Sequence, residues 1–200
     1  KNIPNNIIIS TGLDTISHGF ESIWNNNASN ESITIATKSL NLSLKTLPKL
    51  LKNKSSKILR KDMQQSSCLA GIAISITKTA LAHSISYPLT TNYNLPHGIA
   101  CGFTLGNLLI FNFKEDDGRL SKLANDLQFD NVNELSDFLN NLLIFFGISN
   151  LLKSYFPKNL KEILSLSNSM INPERSKNNM RKASYKDVEK ILLETLNKFG

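Results

Sequence analysis

Apolar residues recur every three or four positions along most of the chain, which is the spacing of one face of an α-helix. The clearest case lies near the end, where Val188, Ile191, Leu192 and Leu196 form the buried stripe of a helix predicted over residues 185–198. No segment shows the strict alternation of a half-buried strand. The pattern therefore predicts an all-α, multi-helix bundle.

Two interruptions of this pattern predict where early helices begin or end. Residues 1–10 contain Pro4 and the run Ile7-Ile8-Ile9, which favours an extended lead-in, with Ser10 or Thr11 capping a first helix. A second helix is expected to start near Ser29 or Asn30 and to be interrupted or kinked at Pro48.

Residues 70–86 form the most apolar helical stretch, with Lys78 as its only formally charged residue. A helix that is apolar or small on every side is expected to be buried in the middle of a domain. Pro88 is predicted to end it. Because a buried charge needs a partner, Lys78 is expected to face something polar.

Length and composition limit the classes of protein to which the chain could belong. Two hundred residues, 40% of them hydrophobic, suit one domain. No apolar run reaches the roughly eighteen residues needed to span a bilayer, so no membrane partner is expected. The net charge is +7, but the basic residues are scattered and no nucleic-acid motif accompanies them. Nucleic acid is therefore not an expected partner either.

The two cysteines, Cys68 and Cys101, show no metal-ligand spacing between them. We expect them to be reduced, in a cytoplasmic protein. Cys101 follows His97 by one helical turn and is expected near it, as a small buried residue.

The chain has only three histidines, His18, His83 and His97, and Asp14 precedes the first by four residues. That spacing puts Asp14 and His18 on one helical face. Three imidazoles and one carboxylate suit divalent iron, zinc, nickel or cobalt. An Asp–His pair one turn apart is also an ordinary surface ion pair, so spacing alone leaves both interpretations open.

The segments around these residues resemble the two metal signatures of the iron-containing (group III) alcohol dehydrogenases. The resemblance covers nearly the whole chain. It is carried by Gly12-Leu13-Asp14-x-x-Ser17-His18-x-x-Glu21-Ser22, by His83-x(13)-His97-Gly98 enclosing Pro88-Leu89 and Pro96, and by Asn179-Met180-Arg181, which echoes an Asn-Pro-Arg feature of the family.

The resemblance implies the helical C-terminal domain of a dehydroquinate-synthase-like, iron-alcohol-dehydrogenase fold. Residues 1–10 would then lead in from an N-terminal nucleotide-binding domain, and residues 11–200 would form the metal-binding domain. The implied metal ligands are Asp14, His18, His83 and His97. The resemblance further implies Fe(II), with zinc as the alternative, and NAD(H) or NADP(H) held mainly by the N-terminal domain. The substrate would be a small alcohol or aldehyde, and a homodimer is one of the open oligomeric states.

Tyr87 marks a departure from the family pattern, because many members carry a second histidine four residues after the one matching His83. Two roles are open for Tyr87: transfer of a proton through its hydroxyl, or space-filling and hydrogen bonding, which we favour.

Residues 76–88 resemble a branch of the family linked to reduction of phosphonoacetaldehyde to 2-hydroxyethylphosphonate. An anionic substrate would also explain a buried Lys78, which we therefore expect to bind it. The alternatives are a general short-chain alcohol or aldehyde reductase and a non-catalytic metal-binding module. A zinc-dependent polyol dehydrogenase fits less well, because those relatives usually lack the complete three-histidine set.

Overall fold

A computed structural model describes residues 3–157 and 159–199, which fold into helices connected by short loops and turns. Over these residues the only β-type pairing is an isolated bridge between Asn25 and Asn179, so the all-α prediction is confirmed. The helices are α1 (Asn5–Ile23), α2 (Asn30–Lys52), α3 (Lys57–Thr77), α4 (Leu81–Tyr93), α5 (His97–Gly102), α6 (Leu105–Phe113), α7 (Arg119–Asp126), α8 (Val132–Phe145), α9 (Ile148–Tyr155), α10 (Leu160–Leu164), α11 (Pro173–Ser176) and α12 (Tyr185–Phe199).

The central helix α1 packs against α2, α3 and α5. It begins at Asn5, after Pro4, so the expectation of an extended lead-in capped at Ser10 or Thr11 is wrong for the described residues. Ile8 and Ile9 are buried in the core. Helix propensities differ by less than about 0.7 kcal/mol among ordinary residues, so burial of these two side chains outweighs the β preference of the isoleucine run.

The stretch predicted as one buried helix over residues 70–86 is two helices. Lys78 adopts a left-handed backbone conformation (φ 68°) that ends α3, and α4 begins three residues later. The second part is buried on most sides, whereas the first part is buried on one face only, since Ile72 and Ile76 in α3 are 45% and 41% exposed. Lys78 is itself exposed, and its ammonium donates to the Ser75 carbonyl (3.1 Å). The expectation of a buried charge at this position is wrong.

The two prolines predicted to disturb helices both lie inside them. The second helix starts after its N-cap Ser29, as expected, and continues through Pro48. Pro88 lies within α4 rather than at its end, contrary to the prediction. An interior proline costs about 3 kcal/mol or more. Complete burial of Ile85 and Leu89 on either side offsets that cost.

Ser84 ties the segment before α11 to α4. Its hydroxyl donates to the Met170 carbonyl and accepts the N–H of Asn172 (2.8 Å). Asn172 in turn caps α11, where its Oδ1 accepts the N–H groups of Glu174 and Arg175. The position of α11 beside α4 is therefore set by hydrogen bonds at a buried serine.

The last helix, α12, matches its sequence pattern. Ser184 and Asp187 form a capping box, in which the Ser184 N–H donates to Asp187 Oδ2 (2.8 Å) and the Asp187 N–H donates to Ser184 Oγ (3.3 Å). The predicted stripe is buried, comprising Val188, Ile191, Leu192 and Leu196.

None of the described helices is, by itself, both long and apolar enough to cross a bilayer. Two bent pairs, α3 with α4 and α8 with α9, meet that criterion only when their members are counted together.

Candidate metal centre

Three helices bring the four predicted ligands to one point. Asp14 and His18 lie one turn apart on α1, His83 lies in the first turn of α4, and His97 is the first residue of α5. Asp14 Oδ1 lies 3.8 Å from Nε2 of His18, 3.6 Å from that of His83 and 3.7 Å from that of His97. All three imidazoles therefore surround one carboxylate oxygen.

The donor set fits a divalent cation. Two ligand atoms about 2.1 Å from one cation at a tetrahedral angle lie about 3.4 Å apart, close to the spacings here. Asp14 Oδ1 and His83 Nε2 are buried and have no hydrogen-bond partner in the structure. Buried polar atoms are rarely left without a partner, so these two atoms point to a ligand between them.

Glu21 lies directly behind His83. It is fully buried, and its carboxylate contacts His83 Nδ1 (2.6 Å). It also accepts the backbone N–H groups of Ala80 (2.9 Å) and His83 (3.1 Å). A carboxylate on the second ring nitrogen fixes the orientation of a metal-binding histidine. Our site prediction did not include Glu21, although its place seven residues after Asp14 puts both on one face of α1.

Glu21 and His83 stabilise each other's charged forms. Burial opposes the carboxylate, but the His83 imidazole and the two backbone N–H groups outweigh it and lower the pKa of Glu21. Burial likewise opposes protonated His83, but the charge of Glu21 and the contacts with Asp14 and Cys101 raise the pKa of His83. With Nδ1 held by Glu21, Nε2 is the nitrogen that faces Asp14.

The centre is buried on one side and open on the other. The His83 side chain is 3% exposed, whereas those of Asp14, His18 and His97 are 31%, 25% and 42% exposed. Burial opposes ionisation of Asp14, but the surrounding imidazoles lower its pKa. Burial lowers the pKa of His18 and outweighs the nearby carboxylates. The exposed side leaves room for a further small ligand.

Cys101 is a fifth potential donor at this centre. It is buried, and its Sγ lies 3.6 Å from His97 Nε2. Ligand atoms of Asp14, His83, His97 and Cys101 all lie within 4.8 Å of one another. Although burial opposes a thiolate, contacts with His83 and His97 lower the pKa of Cys101. The expectation that Cys101 is buried beside the site is confirmed.

Gly98 allows α5 to approach α1. A Cβ at this position would lie 1.8 Å from the Ser10 carbonyl oxygen and 3.0 Å from Asp14 Cβ. Only glycine fits so close to a neighbouring backbone, and this approach carries the adjacent His97 to Asp14.

The two remaining predicted site residues differ in their place. Tyr87 lies beside the centre, with its ring centroid 5.9 Å from that of His97, and it is 43% exposed. The guanidinium of Arg175 lies 4.2 Å from the Tyr87 ring centroid. Our site prediction did not include Arg175. Lys78 lies at the end of α3, and the burial on which its predicted substrate contact rested is absent. That contact stays a prediction.

Curated relatives of this chain reduce aldehydes or oxidise alcohols, according to their names. Phosphonoacetaldehyde reductase from Streptomyces viridochromogenes is 36% identical over 105 residues, which are 52% of this chain and 27% of that protein. A 1-propanol dehydrogenase from Salmonella typhimurium is 31% identical over 110 residues, 55% of this chain and 30% of that protein.

Solved structures show the same fold. Sulfoacetaldehyde reductase from Bifidobacterium kashiwanohense, solved with NAD+, superposes with a TM-score of 0.85 at 24% identity, over 98% of this chain and 51% of that one. An iron-containing alcohol dehydrogenase from Thermococcus thioreducens superposes with a TM-score of 0.88 at 20% identity, over 98% of this chain and 52% of that one. This chain thus spans about half the length of these two solved relatives.

The family model for the C-terminal part of Fe-containing alcohol dehydrogenases matches residues 8–196. The chain therefore belongs to the Fe-containing alcohol dehydrogenase family, as its C-terminal helical domain.

Proposed function

We propose that this chain is the metal-binding half of a nicotinamide-dependent aldehyde reductase or alcohol dehydrogenase. Asp14, His18, His83 and His97 would hold one divalent cation, iron or zinc. NAD(H) or NADP(H) would be bound mainly by a second, nucleotide-binding domain to which residues 1–10 connect. The convergence of three imidazole nitrogens on Asp14 Oδ1 carries the proposal.

Different residues of the centre would hold the cation and line the opening for the substrate. When bound, the cation supplies Lewis-acid chemistry at a carbonyl oxygen and the nicotinamide supplies or accepts the hydride. Glu21 keeps His83 Nε2 directed at the centre. The half-exposed side, next to His97 and Tyr87, is where a small substrate would enter. Tyr87 stands close enough to this opening to line it.

We further propose that the full-length enzyme reduces a two-carbon aldehyde bearing a phosphonate group. The relative named phosphonoacetaldehyde reductase supports this substrate class. The 31% identity with a 1-propanol dehydrogenase supports a second candidate, a general short-chain alcohol dehydrogenase. The two differ in whether the far end of the substrate is charged.

The test uses the full-length protein, loaded anaerobically with Fe(II) or with zinc. We expect one metal per chain by elemental analysis, and cofactor-dependent reduction of aldehydes that is lost on chelation. Replacing Asp14 by Asn or His83 by Gln should remove both the metal and the activity. A protein that binds the metal but turns over no aldehyde with either cofactor would instead be a non-catalytic metal-binding module.

The same enzyme decides between the two substrate classes. A kcat/KM at least about tenfold higher for phosphonoacetaldehyde than for propanal, equivalent to about 1.4 kcal/mol, would support the phosphonate assignment. Equal values would support the general short-chain enzyme.

A further inference from the structure

Arg175 is a half-buried cation beside the opening of the metal centre. Its guanidinium carbon lies 4.2 Å from the ring centroid of Tyr87, and that ring lies 5.9 Å from His97. The guanidinium carbon therefore lies no farther from the His97 ring centroid than the sum of these two distances. That is within the reach of a short substrate bound at the centre and extended towards α11.

The charge of Arg175 is not neutralised within the part of the chain that the structure describes. No carboxylate there forms an ion pair with it, and its neighbour Glu174 contacts Lys177 instead (3.1 Å). A partly desolvated cation without a counter-ion favours an anionic ligand.

The stacking on Tyr87 leaves the guanidinium free to bind. A cation–π contact uses the flat face of the group, whereas its five N–H donors point outward in the plane. Two parallel N–H donors match two oxygens of a tetrahedral oxyanion such as a phosphonate or sulfonate. Tyr87 thus orients Arg175 without occupying its donors.

The backbone that carries Arg175 is also fixed. Its N–H donates to Asn172 Oδ1 (3.3 Å), and the Asn172 N–H donates to Ser84 Oγ on α4 (2.8 Å). Ser84 follows the ligand His83 directly. Arg175 and the metal centre are therefore held by the same turn of α4.

We propose that Arg175 determines substrate specificity by binding the tetrahedral oxyanion of a short aldehyde whose carbonyl lies at the metal centre. This inference rests on the proposed reductase function and deepens it, because it names the group that recognises the charged end. Tyr87 is then a positioning residue for Arg175. Lys78, whose ammonium is exposed and bonded to Ser75, is the competing cation.

The test compares variants of the full-length, metal-loaded enzyme with phosphonoacetaldehyde, sulfoacetaldehyde and propanal. Arg175→Gln should lower the kcat/KM ratio of the anionic aldehydes to propanal by at least about tenfold, mainly through KM. Arg175→Lys should lower the ratio less, because it keeps the charge and loses the paired donors. A stronger effect on one anionic aldehyde than on the other would show which oxyanion the site fits.

Arg181→Gln is the matched control. Arg181 also stacks on an aromatic ring, at 4.1 Å over Phe111, but it donates to the Phe111 carbonyl (3.1 Å) and lies against α6, which carries no ligand. Its substitution should change the substrate ratio by less than about twofold, because Arg181 contacts α6 rather than the opening beside Tyr87. Inhibition of propanal reduction by 2-hydroxyethylphosphonate gives an independent readout, and Arg175→Gln should weaken it.

The outcomes separate the inference from the function on which it rests. An enzyme that reduces no aldehyde would refute the proposed function itself. An enzyme whose preference for anionic aldehydes survives Arg175→Gln, or disappears only in Lys78→Met, would refute the role of Arg175 alone. A wild-type enzyme without that preference would also overturn it.

Discussion

Glu21 shows how much of this site depends on a residue that touches no substrate. Its carboxylate holds one ring nitrogen and the backbone of His83, and it is sealed from solvent. Motif spacing and the family resemblance indicated the four candidate ligands, but motif spacing carries no information on which neighbour lies behind each imidazole. Arg175 was missed for the same reason, since it is roughly ninety residues away from Tyr87 in the chain and meets it only after folding.

Glu21→Gln should weaken metal binding by about 10- to 100-fold, the usual effect of removing a partner behind a metal-ligating histidine. Glutamine keeps the shape but loses the charge that orients His83. Competitive titration with a zinc chelator measures the effect. Glu194→Gln, at an exposed carboxylate on α12, is the control and should bind zinc as the wild type does. Equal affinities for wild type and Glu21→Gln would contradict the role of Glu21.

The same pair predicts a pH dependence for the metal-free protein. The pKa of Glu21 is lowered from 4.5, so its stabilising effect is complete above that value and is lost as the pH falls through the folded-state pKa. The pKa of His83 is raised from 6.5, so its contribution is complete below 6.5 and is lost only at high pH. Urea unfolding between pH 4.5 and pH 6.5 should show that Glu21→Gln is less stable than the wild type. The difference should shrink as the pH falls below 4.5, and a difference that grows there would refute this assignment.

At the scale of the helices, the periodicity of apolar residues predicted the all-α class and the buried stripe of α12, but not every boundary. Pro4 and three isoleucines favoured an extended start, yet Ile8 and Ile9 are buried in α1. A left-handed Lys78 splits the predicted long helix, and no propensity marks lysine for that conformation. The break between α3 and α4 leaves the Ala80 N–H without a partner in a helix, and this N–H donates a hydrogen bond to the Glu21 carboxylate.

Gly98→Ala should disrupt the contact between α5 and α1. The new methyl group would overlap the Ser10 carbonyl, so α5 must move and take His97 away from Asp14. We expect a loss of about 1–3 kcal/mol in the free energy of unfolding, as for other overpacked sites, together with weaker metal binding. Urea denaturation and zinc titration measure the two effects.

Gly71→Ala provides the comparison for that variant, since a Cβ at this helical position meets nothing within 4 Å. It should stabilise the protein by about 0.4–1 kcal/mol through the unfolded chain. If Gly98→Ala behaves like Gly71→Ala, the close approach of the two helices is not what places His97.

At the scale of the whole molecule, the described residues form one core and the candidate metal centre, and the chain spans about half the length of two solved relatives. The family resemblance explains why the fold and the candidate ligands could be predicted, whereas the choice between NAD(H) and NADP(H) could not. The part of the chain that the structure describes contains no parallel sheet on which a nicotinamide could be bound in the usual way.

Residues 1–200 expressed alone should fold and bind one metal ion, yet show no dehydrogenase turnover with NADH or NADPH. The helices bury a continuous core, but the cofactor would lack its principal binding domain. Circular dichroism, metal analysis and a cofactor oxidation assay test the three parts. Turnover by this chain alone would mean that the nicotinamide is bound by the helical domain itself.

A cation held by the proposed ligands on α1, α4 and α5 would also act as a cross-link between these helices. Asp14 and His97 are roughly eighty residues apart, and closing so long a loop costs considerable chain entropy. A cation that binds only the folded chain stabilises it by about 2.7 kcal/mol at a free concentration one hundred times its Kd. For a domain of this size that corresponds to a rise in Tm of about 5–10 °C. Heat resistance of this domain should therefore depend on the supply of metal.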